Sequence, residues 1–113
     1  MEISYSKTRI RLKYDIGGCT IKKYYYVNKD LNFNYYITMI ANDHYPSYEI
    51  GCWNDLNESG KIKYSIINKN DKYYFCLAKF DSESNIKSIV YISIEDYKQD
   101  LLKMFENINI ANN

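Results

Sequence analysis

The sequence predicts an α+β fold: an antiparallel β-sheet of about five to seven strands, strongly twisted or partly closed, with one C-terminal amphipathic helix packed on it. Three observations carry the expectation. Polar and apolar residues alternate on both sides of Gly17-Gly18, a second alternating pair of segments surrounds Lys69-Asn70, and after Ser93 the apolar spacing changes from two to three and four.

Residues 7 to 16 alternate with period 2, Gly17-Gly18 supplies the positive φ of a two-residue hairpin turn, and residues 19 to 27 resume in β-favouring types. Counting outward from the turn pairs Ile16 with Cys19, Tyr14 with Ile21, Leu12 with Lys23, Ile10 with Tyr25 and Thr8 with Val27. That face is mostly apolar and should meet the core. The opposite face then carries Lys7, Arg9, Arg11 and Lys13 on one strand and Lys22, Tyr24 and Tyr26 on the other.

Aromatic and β-branched content marks residues 33 to 41 as a third strand and residues 48 to 54 as a fourth. Between them, Pro46 lies in a turn-like stretch from Asn42 to Ser47. Residues 61 to 68 and 71 to 80 form a second hairpin about Lys69-Asn70, pairing Ile66 with Tyr73, Tyr64 with Phe75 and Ile62 with Leu77 on one core face. A polar turn at 81 to 85 leads to a last strand at 87 to 92. Ser93 can cap a helix over 94–108, with Glu95 and Asp96 near its positive end. Ile94, Tyr97, Leu101, Met104, Phe105 and Ile108 then form its buried stripe. Residues 109–113 form a frayed tail, being too poor in apolar side chains to dock.

The 113 residues suit a single domain, and 46% hydrophobic content with a net charge of +1 excludes a disordered chain. No apolar run approaches the roughly 20 residues that cross a bilayer, nor does residues 1 to 13 contain a secretory apolar core, which predicts a soluble cytoplasmic protein without membrane contact. Cys19, Cys52 and Cys76 are odd in number and far apart, unlike a disulfide framework or a zinc site, and read as reduced, partly buried thiols. A chain with one histidine cannot build a His-rich metal site, and no motif implies a cofactor. Abundant Lys, Asn, Ile and Tyr match an AT-rich coding bias, so the 14 tyrosines by themselves do not signal binding.

Charge is segregated. Residues 1 to 30 balance to +4, with Lys7, Arg9, Arg11, Lys13, Lys22, Lys23 and Lys29 against Glu2, Asp15 and Asp30. Residues 41 to 60 balance to −4, with Asp43, Glu49, Asp55 and Glu58 and no Lys or Arg.

The leading functional expectation is a small non-enzymatic inhibitor that covers a partner protein, as anti-CRISPR and toxin immunity proteins of bacteria and phages do. Asp43, Tyr45, Tyr48, Glu49, Trp53, Asp55 and Glu58 would form its contact surface. Their rings bury area at small entropic cost, and their carboxylates suit the basic surface of a nuclease effector or toxin. The alternative is a single-stranded nucleic-acid-binding module in which Arg9, Arg11, Lys13 and Lys22 meet phosphates while Tyr24 and Tyr26 stack on bases. Alternating cations also simply solvate an outer sheet face, and the near-neutral total tells against a dedicated nucleic-acid binder. A second alternative is a small cysteine-dependent enzyme with Cys52 as nucleophile, His44 as base and Asp43 or Asp55 as orienter.

Overall fold

The computed structural model describes residues 1–27, 33–45, 55–56, 62–81, 83 and 85–112. The first hairpin forms with the register expected. Strands β2 (Arg9–Ile16) and β3 (Cys19–Tyr26) pair Ile16 with Cys19, Tyr14 with Ile21, Leu12 with Lys23 and Ile10 with Tyr25. Gly17 and Gly18 have φ of 57° and 81°, the conformation whose twist matches the flanking strands. A Cβ at either glycine would meet nothing within 4 Å, so backbone conformation and not crowding calls for glycine there.

A strand not expected from the sequence, β1 (Glu2–Tyr5), pairs with β2 and completes a three-stranded antiparallel sheet of order β1-β2-β3. Its alternation of Glu2, Ile3, Ser4 and Tyr5 is present but too short to stand out. On the inner face Ile10, Leu12 and Tyr25 are fully buried, while near the turn Ile16 is 58% exposed and Cys19 is exposed. The apolar face of the hairpin is therefore covered only along its root. Cys19, expected partly buried, lies beyond the covered part.

Residues 33 to 41 are a helix, α1 (Phe33–Ala41), and not the expected strand. The buried side chains Phe33, Tyr36, Met39 and Ile40 recur at helical spacing, and their packing overrides the strand preference of aromatic residues. Its C-terminus is closed by two return hydrogen bonds. The His44 amide donates to the Met39 carbonyl at 3.0 Å and the Asp43 amide to the Ile40 carbonyl at 3.4 Å, with Asp43 in the left-handed region at φ 51°. The expected fourth strand at 48 to 54 lies outside the described residues.

The second sheet has the order β4-β5-β6-β7, with a two-residue edge strand β4 (Asp55–Leu56) beside the long strands β5 (Ile62–Lys69), β6 (Lys72–Phe80) and β7 (Ile86–Ser93). The expected single sheet is thus two. Local alternation marks each strand but says nothing about which strands share a ladder across a helix. The β5–β6 turn lies at Asn70-Asp71, one residue later than expected, so Ile66 pairs with Phe75 and Tyr64 with Leu77. Because the shift changes each pairing by two residues, the same side chains still face inward. Tyr64, Ile66, Phe75 and Leu77 are fully buried, and Tyr73 packs against the core as a partly buried residue.

Helix α2 (Ile94–Asn112) starts where expected, with the Asp96 amide donating to Ser93 Oγ at 3.3 Å. It kinks at Tyr97 (φ −122°, ψ 22°) and continues to Asn112, through the segment expected to fray after 108. Ile94, Leu101, Met104, Phe105 and Ile108 are buried and Tyr97 is partly buried, as the spacing predicts. The order β-β-β-α therefore occurs twice, around β4.

Both sheets and both helices contribute to one hydrophobic cluster. At its centre the Phe105 ring lies 5.0 Å from Phe75 edge-on and 5.5 Å from Tyr36 stacked. Polar contacts join the sheets directly. Lys23 Nζ donates to Ser88 Oγ at 2.7 Å, the Tyr64 hydroxyl donates to the Tyr26 carbonyl at 2.6 Å, and the Lys79 ammonium lies 4.9 Å from the centre of the Tyr25 ring. Burial, followed by the nearby Lys23 charge, lowers the pKa of Lys79. No helix among the described residues is long and apolar enough to cross a membrane.

Candidate functional site

Because the inner face of the first sheet is committed to the core, its outer face is left to solvent, and the alternation of β2 and β3 decides what appears there. Beyond the Asp15–Thr20 pair near the turn, three cross-strand rows result. The ladders place Glu2, Lys13 and Lys22 in one row and Ser4, Arg11 and Tyr24 in the next. Arg9 faces Tyr26 in the third, and the Ser6 amide donates to the Arg9 carbonyl at 2.8 Å, which brings Ser6 beside it. Of the seven residues expected on this face, Arg9, Arg11, Lys13, Lys22, Tyr24 and Tyr26 are brought together, while Lys7 lies in the bend between β1 and β2. The four cations outnumber the carboxylates of Glu2 and Asp15 on the same side.

Each arginine is held by a neighbour. Arg11 Nε donates to Ser4 Oγ at 3.0 Å, and the Arg9 guanidinium lies 4.9 Å from the centre of the Tyr24 ring. Lys13 Nζ stands 3.8 Å from Glu2, an exposed pair that holds neither side chain firmly. Tyr26 is 65% exposed, a large ring presented to solvent at a strand end. A notch of about 240 Å³, lined by Ser4, Tyr5, Ser6, Arg9 and Arg11, opens along the β1–β2 side of these rows. Ser4 and Ser6 escaped the sequence reading because it had not placed β1.

The acidic and aromatic stretch behaves differently. Of its seven named residues, Tyr48, Glu49, Trp53 and Glu58 lie outside the described residues, and Asp55 is placed only as backbone, opposite Tyr64. The described carboxylate, Asp43, accepts hydrogen bonds from Lys98 Nζ at 2.9 Å and the Tyr45 hydroxyl at 3.1 Å. These two hydrogen bonds, Lys98 first, lower its pKa. Asp43 is thus a helix-terminating residue whose charge, unfavourable at the negative end of α1, is offset by Lys98. The Tyr45 ring packs 4.4 Å from Tyr73, and burial together with the hydrogen bond to Asp43 raises its phenol to about 12. Asp43, Tyr45, Lys72, Tyr73 and Lys98 rim a concavity of about 270 Å³.

For the cysteine enzyme, Cys52 falls outside the described residues. His44 is exposed just beyond α1, and the Asp43 carboxylate turns to Lys98 and Tyr45. The buried thiol Cys76 is pushed up to about 12 by burial, a condition opposite to that of a reactive thiolate. No group of three or more His, Cys, Asp and Glu side chains among the described residues could hold a metal ion.

Comparison with protein-family models, with curated proteins and with solved structures found no match.

Proposed function

We propose that this chain is a non-enzymatic binding domain whose contact surface is the outer face of the first sheet, and that its ligand is single-stranded nucleic acid. One observation carries the reading: a sheet whose inner face is buried along its root displays two arginines, two lysines and two tyrosines on its other face, with the arginines already positioned. Guanidinium and ammonium groups meet phosphates, and exposed rings stack on unpaired bases, which are available in single strands and hidden in duplexes. The total charge of +1 tells against a binder that relies on the field of the whole chain, but a bound strand feels chiefly the local field of this cationic face.

Fluorescence anisotropy with a labelled oligothymidylate tests the proposal. Two to four phosphate contacts give a slope of log K against log salt between about −1.4 and −2.8. Changing Arg9 or Arg11 to Gln should lower affinity and make the slope shallower by about 0.7 each. Binding that is absent at low salt, or indifferent to salt, refutes the reading.

The inhibitor reading stands second, favoured by the concavity beside Asp43 and Tyr45 at the start of the acidic stretch. Its anchor would be Trp53, and Trp53→Ala would then speed dissociation from a basic partner protein, provided the variant still folds. The charge of Asp43, already paired with Lys98, contributes little steering to such a partner.

A further inference from the structure

Two of the rows on the outer face repeat one order of chemistry: hydroxyl, guanidinium, phenol. They are Ser4–Arg11–Tyr24 and Ser6–Arg9–Tyr26. Equivalent positions in the two rows are two residues apart on each strand, which sets them about 7 Å from one another along the sheet. That interval is close to the spacing of successive phosphates on an extended single strand. A nucleotide offers a matching order, with an anionic phosphate at one side and a flat base at the other.

Resting on the nucleic-acid reading above, we propose that the two Ser–Arg–Tyr rows form a two-nucleotide register. The backbone runs parallel to the strands over the 240 Å³ notch between β1 and β2, and each base turns toward β3. A guanidinium donates from its edge and stacks through its face, so one arginine can serve both parts of a nucleotide. Arg11, held at Nε by Ser4, keeps its terminal nitrogens for a phosphate. Arg9, lying on Tyr24 and lining the notch, extends that ring as a stacking platform for one base. Tyr26, 65% exposed, receives the other base.

Preorganisation is the physical advantage. Arginine side chains are costly to immobilise, and both are restrained before any ligand arrives. The third row, Glu2–Lys13–Lys22, ends the register because it offers no ring and sets a carboxylate 3.8 Å from Lys13. The site therefore reads two nucleotides and not three.

Competition against a labelled oligothymidylate, using the full chain at low salt, tests the register. Unlabelled thymidine mono-, di-, tri- and tetranucleotides are the competitors. Affinity should rise at least tenfold from mono- to dinucleotide, and then only about twofold to the trinucleotide, which merely has two ways to occupy the site. Tyr24→Leu and Tyr26→Leu should each weaken binding about 5- to 150-fold, the range of one lost base stack. Unchanged thermal unfolding of Tyr26→Leu would show that its loss is one of contact and not of fold.

Affinity that climbs steeply through the tetranucleotide, or that ignores both tyrosines, overturns the register. If the oligonucleotide still binds and Arg9→Gln or Arg11→Gln weakens it, the nucleic-acid reading survives that failure. If no oligonucleotide binds, both fall together.

Discussion

Tyr64→Phe removes a single oxygen from the point where the core of the second sheet meets the end of the candidate binding face. The Tyr64 ring is fully buried and stays so in the variant. Among the described residues, the loss is the hydrogen bond from its hydroxyl to the Tyr26 carbonyl, 2.6 Å long and formed across 38 residues of sequence. A net intramolecular hydrogen bond is worth about 1 kcal/mol, and a buried acceptor left dry adds about 1–3 kcal/mol more. Tyr26 is largely exposed, so water can reach its carbonyl and the second cost should be small. The expected loss is therefore about 1 kcal/mol, or about 4 °C in Tm for a domain of this size.

Urea unfolding followed by circular dichroism measures that loss, with an unchanged m-value as the control that the end states are the same. The affinity for an oligonucleotide should stay within about twofold, because the Tyr26 ring and both arginines keep their positions. Tyr26→Thr should behave in the opposite way, weakening binding while leaving stability within about 0.5 kcal/mol, since it alters an exposed strand position. A loss near zero for Tyr64→Phe would show that the link contributes nothing. A loss above about 3 kcal/mol would show that the carbonyl is dry, contradicting the exposure of Tyr26.

Other expectations follow from the core, the second turn and the titrating groups. Phe105→Ala should cost about 3–5 kcal/mol by urea titration, because its ring fills the space between Tyr36 and Phe75, and a loss below about 2 kcal/mol would mean that α2 readily closes the cavity. Asp71→Gly should stabilise the fold by up to about 1 kcal/mol, since Asp71 sits at φ 64° in the second turn where a side chain is strained, and destabilisation would refute that account. Stability should also fall in alkali. Tyr45 and Cys76 titrate near 12 in the folded protein, against 10.0 and 9.0 as reference values, so their contribution is complete below pH 9 and is lost as pH climbs toward about 12. Raised phenols at Tyr25 and Tyr91 act in the same direction, whereas the lowered pKa of Lys79 acts against them below 10.5. A urea midpoint constant from pH 8 to pH 11 would contradict this balance.

The sequence by itself determined the features whose causes are local. Gly17-Gly18 fixes the turn, the turn fixes the register, and alternation along β2 and β3 then decides that Arg9, Arg11, Tyr24 and Tyr26 share one face. Ser93 and the stripe from Ile94 to Ile108 determined the start and buried side of α2 for the same reason, since a cap and a helical period act within one turn or two. Tertiary structure decided the rest. Residues 33 to 41 carry strand-favouring side chains, yet Phe33, Tyr36, Met39 and Ile40 gain more by burying one helical face against α2 and the second sheet. Separation of the strands into two sheets and the pairing of Asp43 with Lys98 across 55 residues depend on partners distant in the chain. Periodicity reports which way a side chain points from its own backbone, whereas the group it meets is chosen by how the whole chain packs.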